Sequence, residues 1–299
     1  MTRSVLLVVH TGRDETAQAA RRVVRRLQEA GVEVRVLAEE AQDLGLTGVR
    51  VCALDSRAAA GAEVVLVLGG DGSILRSAEL AREAEVPLLG VNLGRVGFLA
   101  AAEYEDLDAT VELVLDRAFE VEERMTLDVR VLLEGGPERQ GWALNEVAVE
   151  KAARERMLEI VVEVDDRPLS RWGCDGVVAA TPTGSTAYAF SGGGPVVWPT
   201  VEALTMVPIS AHALFARPLV VAPTSVIALE VLASGAEAVL SCDGRRTMPL
   251  AHGTRVEVRR GQIPVLLART HATPFTDTLV RKFGLPVQGW RGVAEPPAG

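Results

Sequence analysis

Lysine is almost missing from this chain. Of 31 basic residues in 299, all but Lys151 and Lys282 are arginine. A P-loop needs a lysine directly after its glycine turn and protein-kinase chemistry needs one on an early strand, so a chain with none before residue 151 excludes both. Cysteine is scarce as well. Cys52, Cys174 and Cys242 are odd in number, scattered and free of CxxC spacing, which suggests neither a disulfide framework nor a cysteine metal site and fits a reducing compartment. His10, His212, His252 and His271 fall at no ligand spacing and read as structural or surface histidines.

Long apolar runs are absent too. The greasiest region, 218–240, is broken by Pro223, Thr224, Ser225, Glu230, Gly235 and Glu237, and the apolar run near the N-terminus is too short for a signal peptide and reads as a first strand. No basic stretch relieves a formal net charge of -9 and a pI near 5.1, which argues against a nucleic-acid partner held by phosphate neutralisation. The expectation is a cytoplasmic protein with neither a membrane nor a nucleic acid as partner.

What is present is core-forming material, 48% hydrophobic against 24% charged residues, enough for two domains. Residues 4–9 form an apolar strand. Residues 14–30 follow with Ala17, Ala20, Val23, Val24 and Leu27 at helical spacing, and Gly31 closes that helix. Residues 32–37, 50–54, 63–68 and 87–91 read as further strands, with helices over 74–84 and 107–118. Strands alternating with helices predict an α/β N-terminal domain with a doubly wound parallel sheet. From residue 121 the pattern changes to short alternating strands, among them 126–133, 143–150, 158–164, 176–180, 226–232, 254–259 and 264–268, which predicts a largely all-β C-terminal domain. The expected domains are 1–119, completed by 272–299, and 120–271.

Two glycine-bearing stretches carry the chemistry. The turn Gly69, Gly70, Asp71, Gly72, Ser73 follows a buried strand and precedes a helix, where backbone can approach phosphates closely. Asp71 is the odd member, because a carboxylate repels phosphates unless a divalent cation bridges the two or it takes a proton from an attacking hydroxyl. Both options imply phosphoryl transfer, although an Asp-Gly turn also occurs simply at strand ends. Arg76 and Arg95 are the nearest arginines for transition-state charge. The second stretch, 181–195, reads TPTGSTAYAFSGGGP. Its hydroxyls Thr183, Ser185, Thr186, Tyr188 and Ser191 predict a loop built for donating to a ligand, with a helix starting near Ser185 or Thr186. Asn145 and Glu146 interrupt an apolar strand as an amide and acid able to read a purine edge or ribose. The patterns Gly173-Cys174-Asp175-Gly176 and Ser241-Cys242-Asp243-Gly244 each put a carboxylate at a strand end. Asp175 reads as functional and Asp243 as a hairpin turn.

The ordered set GGDGS at Gly69, NLGRVGF at Asn92, NE at Asn145, GCDG at Gly173 and TPTGSTAY at Thr181 resembles the NAD kinase family across roughly residues 60–250. The resemblance implies phosphorylation of the adenosine-ribose 2′-hydroxyl of NAD to NADP by ATP, or by polyphosphate in some members, with Mg²⁺. It implies Asp71 as the essential carboxylate and Gly70 and Gly72 as shapers of the phosphate turn. Phe98 would pack near the substrate, Asn145 and Glu146 would meet the adenosine part, Asp175 would hold the nicotinamide end, and Thr186, Ala187, Tyr188 and Ser191 would line the adenine and ribose pocket. A homodimer or homotetramer is implied as well. Ser73 and Arg245 stand where the family usually has Thr and Gln. Two other readings are weighed against this one: another GGDG-type kinase acting on a lipid or sugar, and a non-catalytic NAD-binding sensor.

Overall fold

The computed structural model describes residues 3–12, 14–94, 97–133, 135–154, 156–270 and 274–287. Arg95 and His271 lie outside them. The described residues up to Glu122, with those from Leu266 on, form one compact unit, and Glu123–Val265 form a second.

In the first unit β1 (Ser4–Val9), β2 (Glu33–Leu37), β3 (Arg50–Cys52), β4 (Val64–Leu68) and β5 (Leu88–Asn92) pair in parallel in the order β3-β2-β1-β4-β5, with the two-residue β6 (Ala102–Glu103) also on β5. Helices α1 (Asp14–Glu29), α2 (Ala38–Leu44), α3 (Asp71–Ala81) and α4 (Leu107–Asp116) connect them. β1 and β4 are buried along their whole length, which is why they read as continuous apolar runs rather than alternating ones. α1 buries Ala19, Ala20, Val23, Val24 and Leu27, each large aliphatic contributing roughly 1.5–3 kcal/mol by leaving water. Its C-terminal Gly31 adopts φ 74°, a left-handed stop that glycine takes without a Cβ penalty.

Several elements depart from the sequence expectation. α3 spans Asp71–Ala81 rather than 74–84, because Gly70 takes the extended conformation of an N-cap (φ -82°, ψ -172°) and an acidic first residue suits a helix N-terminus. α2 was not expected; seven residues give too few turns for a periodic signal. The last strand, expected in the all-β domain, joins the first unit's sheet instead.

The second unit is a sandwich of two antiparallel sheets. One holds β8 (Leu127–Leu132), β9 (Arg139–Ala143), β11 (Leu158–Val164), β12 (Arg167–Cys174), β16 (Ile227–Val231) and β19 (Arg255–Arg260), in the order β12-β11-β16-β19-β8-β9. The other holds β10 (Glu146–Lys151), β13 (Gly176–Ala180), β14 (Leu204–Ile209), β15 (Leu219–Val221), β17 (Ala238–Cys242) and β18 (Arg246–Leu250), in the order β15-β14-β13-β10-β17-β18. Their inner faces meet in one core around the fully buried Trp172. The outer face of the second sheet is partly covered: Ala148, Val178, Ala180 and Val207 pack against Ala189 of α5 (Tyr188–Ser191). β13 is therefore buried on both faces and reads as an unbroken apolar run.

The chain returns to the first sheet with β20 (Val265–Arg269), which pairs parallel with β5 and lies next to β7 (Glu120–Arg124). α6 (Phe275–Phe283) follows.

Candidate active site

Two polar centres stand out, one in each unit. In the parallel sheet β1 and β4 are neighbours, yet β2 and β3 lie beyond β1 while β5 lies beyond β4. Ligands of doubly wound sheets settle at such a switch, past the carboxyl ends of the strands. Here those ends lead into His10 and Gly69, and the His10 N–H donates to the Leu68 carbonyl at 2.9 Å.

Of the three glycines in the turn, one is needed by the fold itself. A Cβ on Gly69 would strike the Ser73 side chain, whereas Gly70 and Gly72 have open space where a Cβ would be. Neither has a positive φ. What they preserve is access to the exposed backbone at the start of α3, the arrangement that admits a phosphate.

Asp71 is the first residue of α3, and both its oxygens are held by backbone. Phe98 N–H donates to Oδ2 at 2.9 Å and Leu99 N–H to Oδ1 at 3.1 Å. Gly97 makes that approach possible, since a Cβ there would collide with Oδ1. Each oxygen keeps lone-pair capacity for a proton or a cation. The Phe98 ring, expected near the substrate, packs on α6 beside Phe275 and Phe283, at centroid distances of 6.0 and 5.8 Å, and its backbone N–H reaches Asp71. Arg76 is likewise committed elsewhere. It pairs with Glu40 at 2.8 Å, and the other oxygen of that buried carboxylate accepts the Val9 N–H at 2.8 Å. Burial holds Glu40 above the usual carboxylate range against the pull of Val9 N–H and Arg76. This knot ties the end of β1 to α2 and α3, which removes Arg76 as a free cation. Arg95 is outside the described residues.

The second centre is a corner between sheets. β9 ends at Ala143 in one sheet and β10 begins at Glu146 in the other. Asn145 and Glu146 therefore do not interrupt one strand, as the apolar run suggested; they sit where the chain crosses. Every backbone direction at this corner is used. Thr181 Oγ1 donates to the Leu144 carbonyl at 2.6 Å, the Thr181 N–H donates to the Asn145 carbonyl at 2.9 Å, and Gly184 N–H donates back to Thr181 Oγ1 at 3.0 Å. Asp243 accepts the N–H groups of Leu144, Asn145 and Glu146 at 3.0, 2.7 and 3.3 Å.

The side chains at the corner are, by contrast, underused. Asn145 is 8% exposed, and its amide has no hydrogen-bond partner among the described residues. Glu146, 7% exposed, accepts a single long bond from Tyr188 N–H at 3.3 Å. Burial, then the nearby Asp243 carboxylate, push it up to about 7, against the pull of that N–H. An acid that shares its proton near neutrality can donate as well as accept, and an unpaired amide does both. The pair is poised to read the edge of a polar ligand.

The hydroxyl loop divides into two parts. The expectation of a stretch open for donation fails for its first half, because Thr181, Thr183 and Ser185 are buried. Ser185 Oγ donates to the Pro182 carbonyl at 2.7 Å and accepts from Val197 N–H at 2.9 Å. Gly184 has no positive φ; a Cβ on it would strike the Asn145 carbonyl, so glycine is there for close packing. This half is the wall that holds the corner. The second half stays accessible: Thr186, Ala187 and Tyr188 are half-buried and Ser191 is exposed, over a 3-10 turn Thr183–Thr186 and the single turn of α5. Tyr188 Oη donates to Glu150 at 2.7 Å.

Asp175 lies at a second crossing, between β12 of one sheet and β13 of the other. Its carboxylate meets Lys151 Nζ at 2.5 Å, and that hydrogen bond lowers its pKa. Asp243 is in a hairpin turn, as expected, with left-handed φ of 53° followed by Gly244 at 63°. Its capping of residues 144–146 was missed, because those partners are 97–99 positions away and only strand pairing brings them together. Among the described residues no group of three or more His, Cys, Asp and Glu is placed to hold a metal ion, and no helix is long and apolar enough to cross a membrane.

A lone clamped carboxylate at a phosphate-admitting turn, with a separate polar corner, is the equipment that phosphoryl transfer to a bound acceptor requires. The ATP-NAD kinase N-terminal domain model matches residues 5–119, and the ATP-NAD kinase C-terminal domain model matches 144–270. An NAD kinase of Thermobifida fusca is 59% identical over 98% of this chain and 92% of its own length, and NAD kinase 2 of Streptomyces coelicolor is 60% identical over 97% of each. The chain belongs to the NAD kinase family. The fold is shared with yeast NADH kinase solved with NADH (TM-score 0.88, 22% identity, covering 96% of this chain and 89% of that one) and with an Archaeoglobus fulgidus NAD kinase solved with ATP (TM-score 0.71, 24% identity, covering 95% and 100%).

Proposed function

We propose that the chain transfers the γ-phosphoryl group of ATP to the adenosine-ribose 2′-hydroxyl of NAD, giving NADP and ADP. The observation that carries this is the Asp71 carboxylate, held by two backbone N–H groups at the switch of a parallel sheet beside two glycines that the fold does not need. Asp71 takes the proton of the 2′-hydroxyl as that oxygen bonds to the γ-phosphorus, while the bond from phosphorus to the bridging oxygen breaks and ADP leaves. Backbone N–H groups at the start of α3 meet the donor phosphates.

A divalent cation such as Mg²⁺ fits these residues, since Mg²⁺ is commonly bound by one or two carboxylates and substrate phosphates, and Asp71 offers one carboxylate with spare lone pairs. When bound it would neutralise charge on the transferring group.

The first unit is the donor domain in this reading and the second the acceptor domain. Asn145 and Glu146 read the adenosine, Thr186, Ala187, Tyr188 and Ser191 line its pocket, and Asp175 meets the nicotinamide end. The unpaired Asn145 amide and the accessibility of residues 186–188 and 191 support these roles. Exposed Trp198, Val201, Leu214, Phe215 and Val220 support a homodimer or homotetramer, which light scattering on the purified protein measures. Three free cysteines support a reducing cytoplasmic setting.

The test is NADP formation from NAD and ATP with Mg²⁺, run beside Asp71→Asn and with sphingosine and fructose 6-phosphate as competing acceptors. NADP from the unmutated protein alone supports the reading. Phosphate transfer to another acceptor, or NAD binding without turnover, overturns it.

A further inference from the structure

The turn between β17 and β18 contains a carboxylate that the proposed reaction does not use. Asp243 has a side chain only 1% exposed, and it accepts three successive backbone N–H groups while pairing with Arg246 Nη2 at 2.6 Å. Arg246 in turn lies over the Trp142 ring, 4.2 Å from its centroid, a stacking that fixes the guanidinium. The hairpin makes this geometry possible, for left-handed φ at residue 243 is tolerated by Asp better than by most side chains.

A buried carboxylate needs such a set of donors, and the N–H groups it collects belong to Leu144, Asn145 and Glu146, the corner where the chain changes sheets. Thr181 and Gly184 hold the same corner from its carbonyl side. We propose that Asp243 is a positioning residue for the acceptor: its carboxylate sets the place of Asn145 and the charge environment of Glu146, so acceptor recognition depends on a hairpin remote in sequence. This rests on the reading of Asn145 and Glu146 as the pair that meets NAD.

Electrostatics points the same way. Burial raises the pKa of Asp243 against the three N–H groups and Arg246, and these give it the better claim to the negative charge. Glu146 then keeps its proton to about pH 7. The groups facing Glu146 are Asp243 on the hairpin, with Arg246 behind it, and Tyr188 on the loop, with Glu150 behind that.

Asp243→Asn keeps size but replaces one accepting oxygen by a donor and removes the charge. In steady-state kinetics the KM for NAD should rise roughly tenfold while the KM for ATP stays within about twofold, as expected when binding of one substrate alone is disturbed. The pH at which kcat/KM for NAD changes should also move down from near 7. Arg246→Gln, which loosens Asp243 without removing it, should show the same split at smaller size and carries the test if Asp243→Asn does not fold. Equal changes for NAD and ATP, or a lowered melting temperature with unchanged KM for NAD, overturn the proposal and reduce Asp243 to a structural cap. If the unmutated protein forms no NADP, the underlying reading has failed; if it does and the split is absent, this inference alone has failed.

Discussion

At residue 71 a carboxylate is placed by backbone alone. Asp71 receives N–H groups from Phe98 and Leu99, so its position does not depend on other side chains. Asp71→Asn is expected to lower turnover by roughly 10²–10⁴, the usual worth of a positioned base, with a melting temperature within a few degrees of the parent; comparing initial rates with thermal unfolding separates the two effects. Gly72 supplies a sharper test. It lies in the first turn of α3 with space for a Cβ, so Gly72→Ala should stabilise the unit by about 0.5–1 kcal/mol through helix propensity. The same methyl group stands where the donor phosphates would approach. KM for ATP should therefore rise in a protein that melts higher, and a melting curve beside an ATP titration checks both.

The elements most involved in recognition are a loop and a corner. The 181–195 loop looked like a row of free hydroxyls, yet Thr181 and Ser185 spend theirs on carbonyls and N–H groups of the fold. Thr181→Val should cost about 1–3 kcal/mol, since it leaves buried partners at Gly184 and Leu144 unmet. Gly184→Ala should cost more, because its Cβ has to displace the Asn145 backbone; urea unfolding of the two variants tests that order. Composition marked this loop as special but did not say which hydroxyls face inward, for burial is decided by residues 144–146 and 197, which bond to it. The corner was hidden for a similar reason. Ala143 and the residues from Glu146 on read as one strand, because the apolar run continues across the crossing and only the partners differ: β8 for β9, β13 and β17 for β10.

For the whole molecule, stability should respond to pH through its buried acids. Glu146 is held at about 7 in the folded chain against about 4.5 unfolded. The folded form then binds more protons between these values, so Glu146 contributes stability at low pH that is lost as pH rises from about 4.5 through 7, on the order of 3 kcal/mol. The exposed Glu138, lowered to about 2 by Arg130 and Gln140, acts in the opposite sense: its contribution is present above about 4.5 and lost as pH falls toward 2. Glu146→Gln should flatten the decline of unfolding free energy between pH 5 and 8, measured by urea titration across that range.

Short-range chemistry was legible in the order of residues. Strands alternating with helices specified the parallel sheet. GGDGS marked a turn able to admit phosphate, and the ordered motifs pointed to the NAD kinase family. Long-range packing supplied the remainder. It moved the strand Val265–Arg269 into the first sheet, gave Arg76 to Glu40 and the Phe98 ring to α6, and brought Asp243 onto the backbone of Asn145. Each of these joins residues 36 to about 180 positions apart in sequence. A residue's local propensity reports its own conformation, whereas its partner is chosen by sheet register and by which buried donor still needs an acceptor.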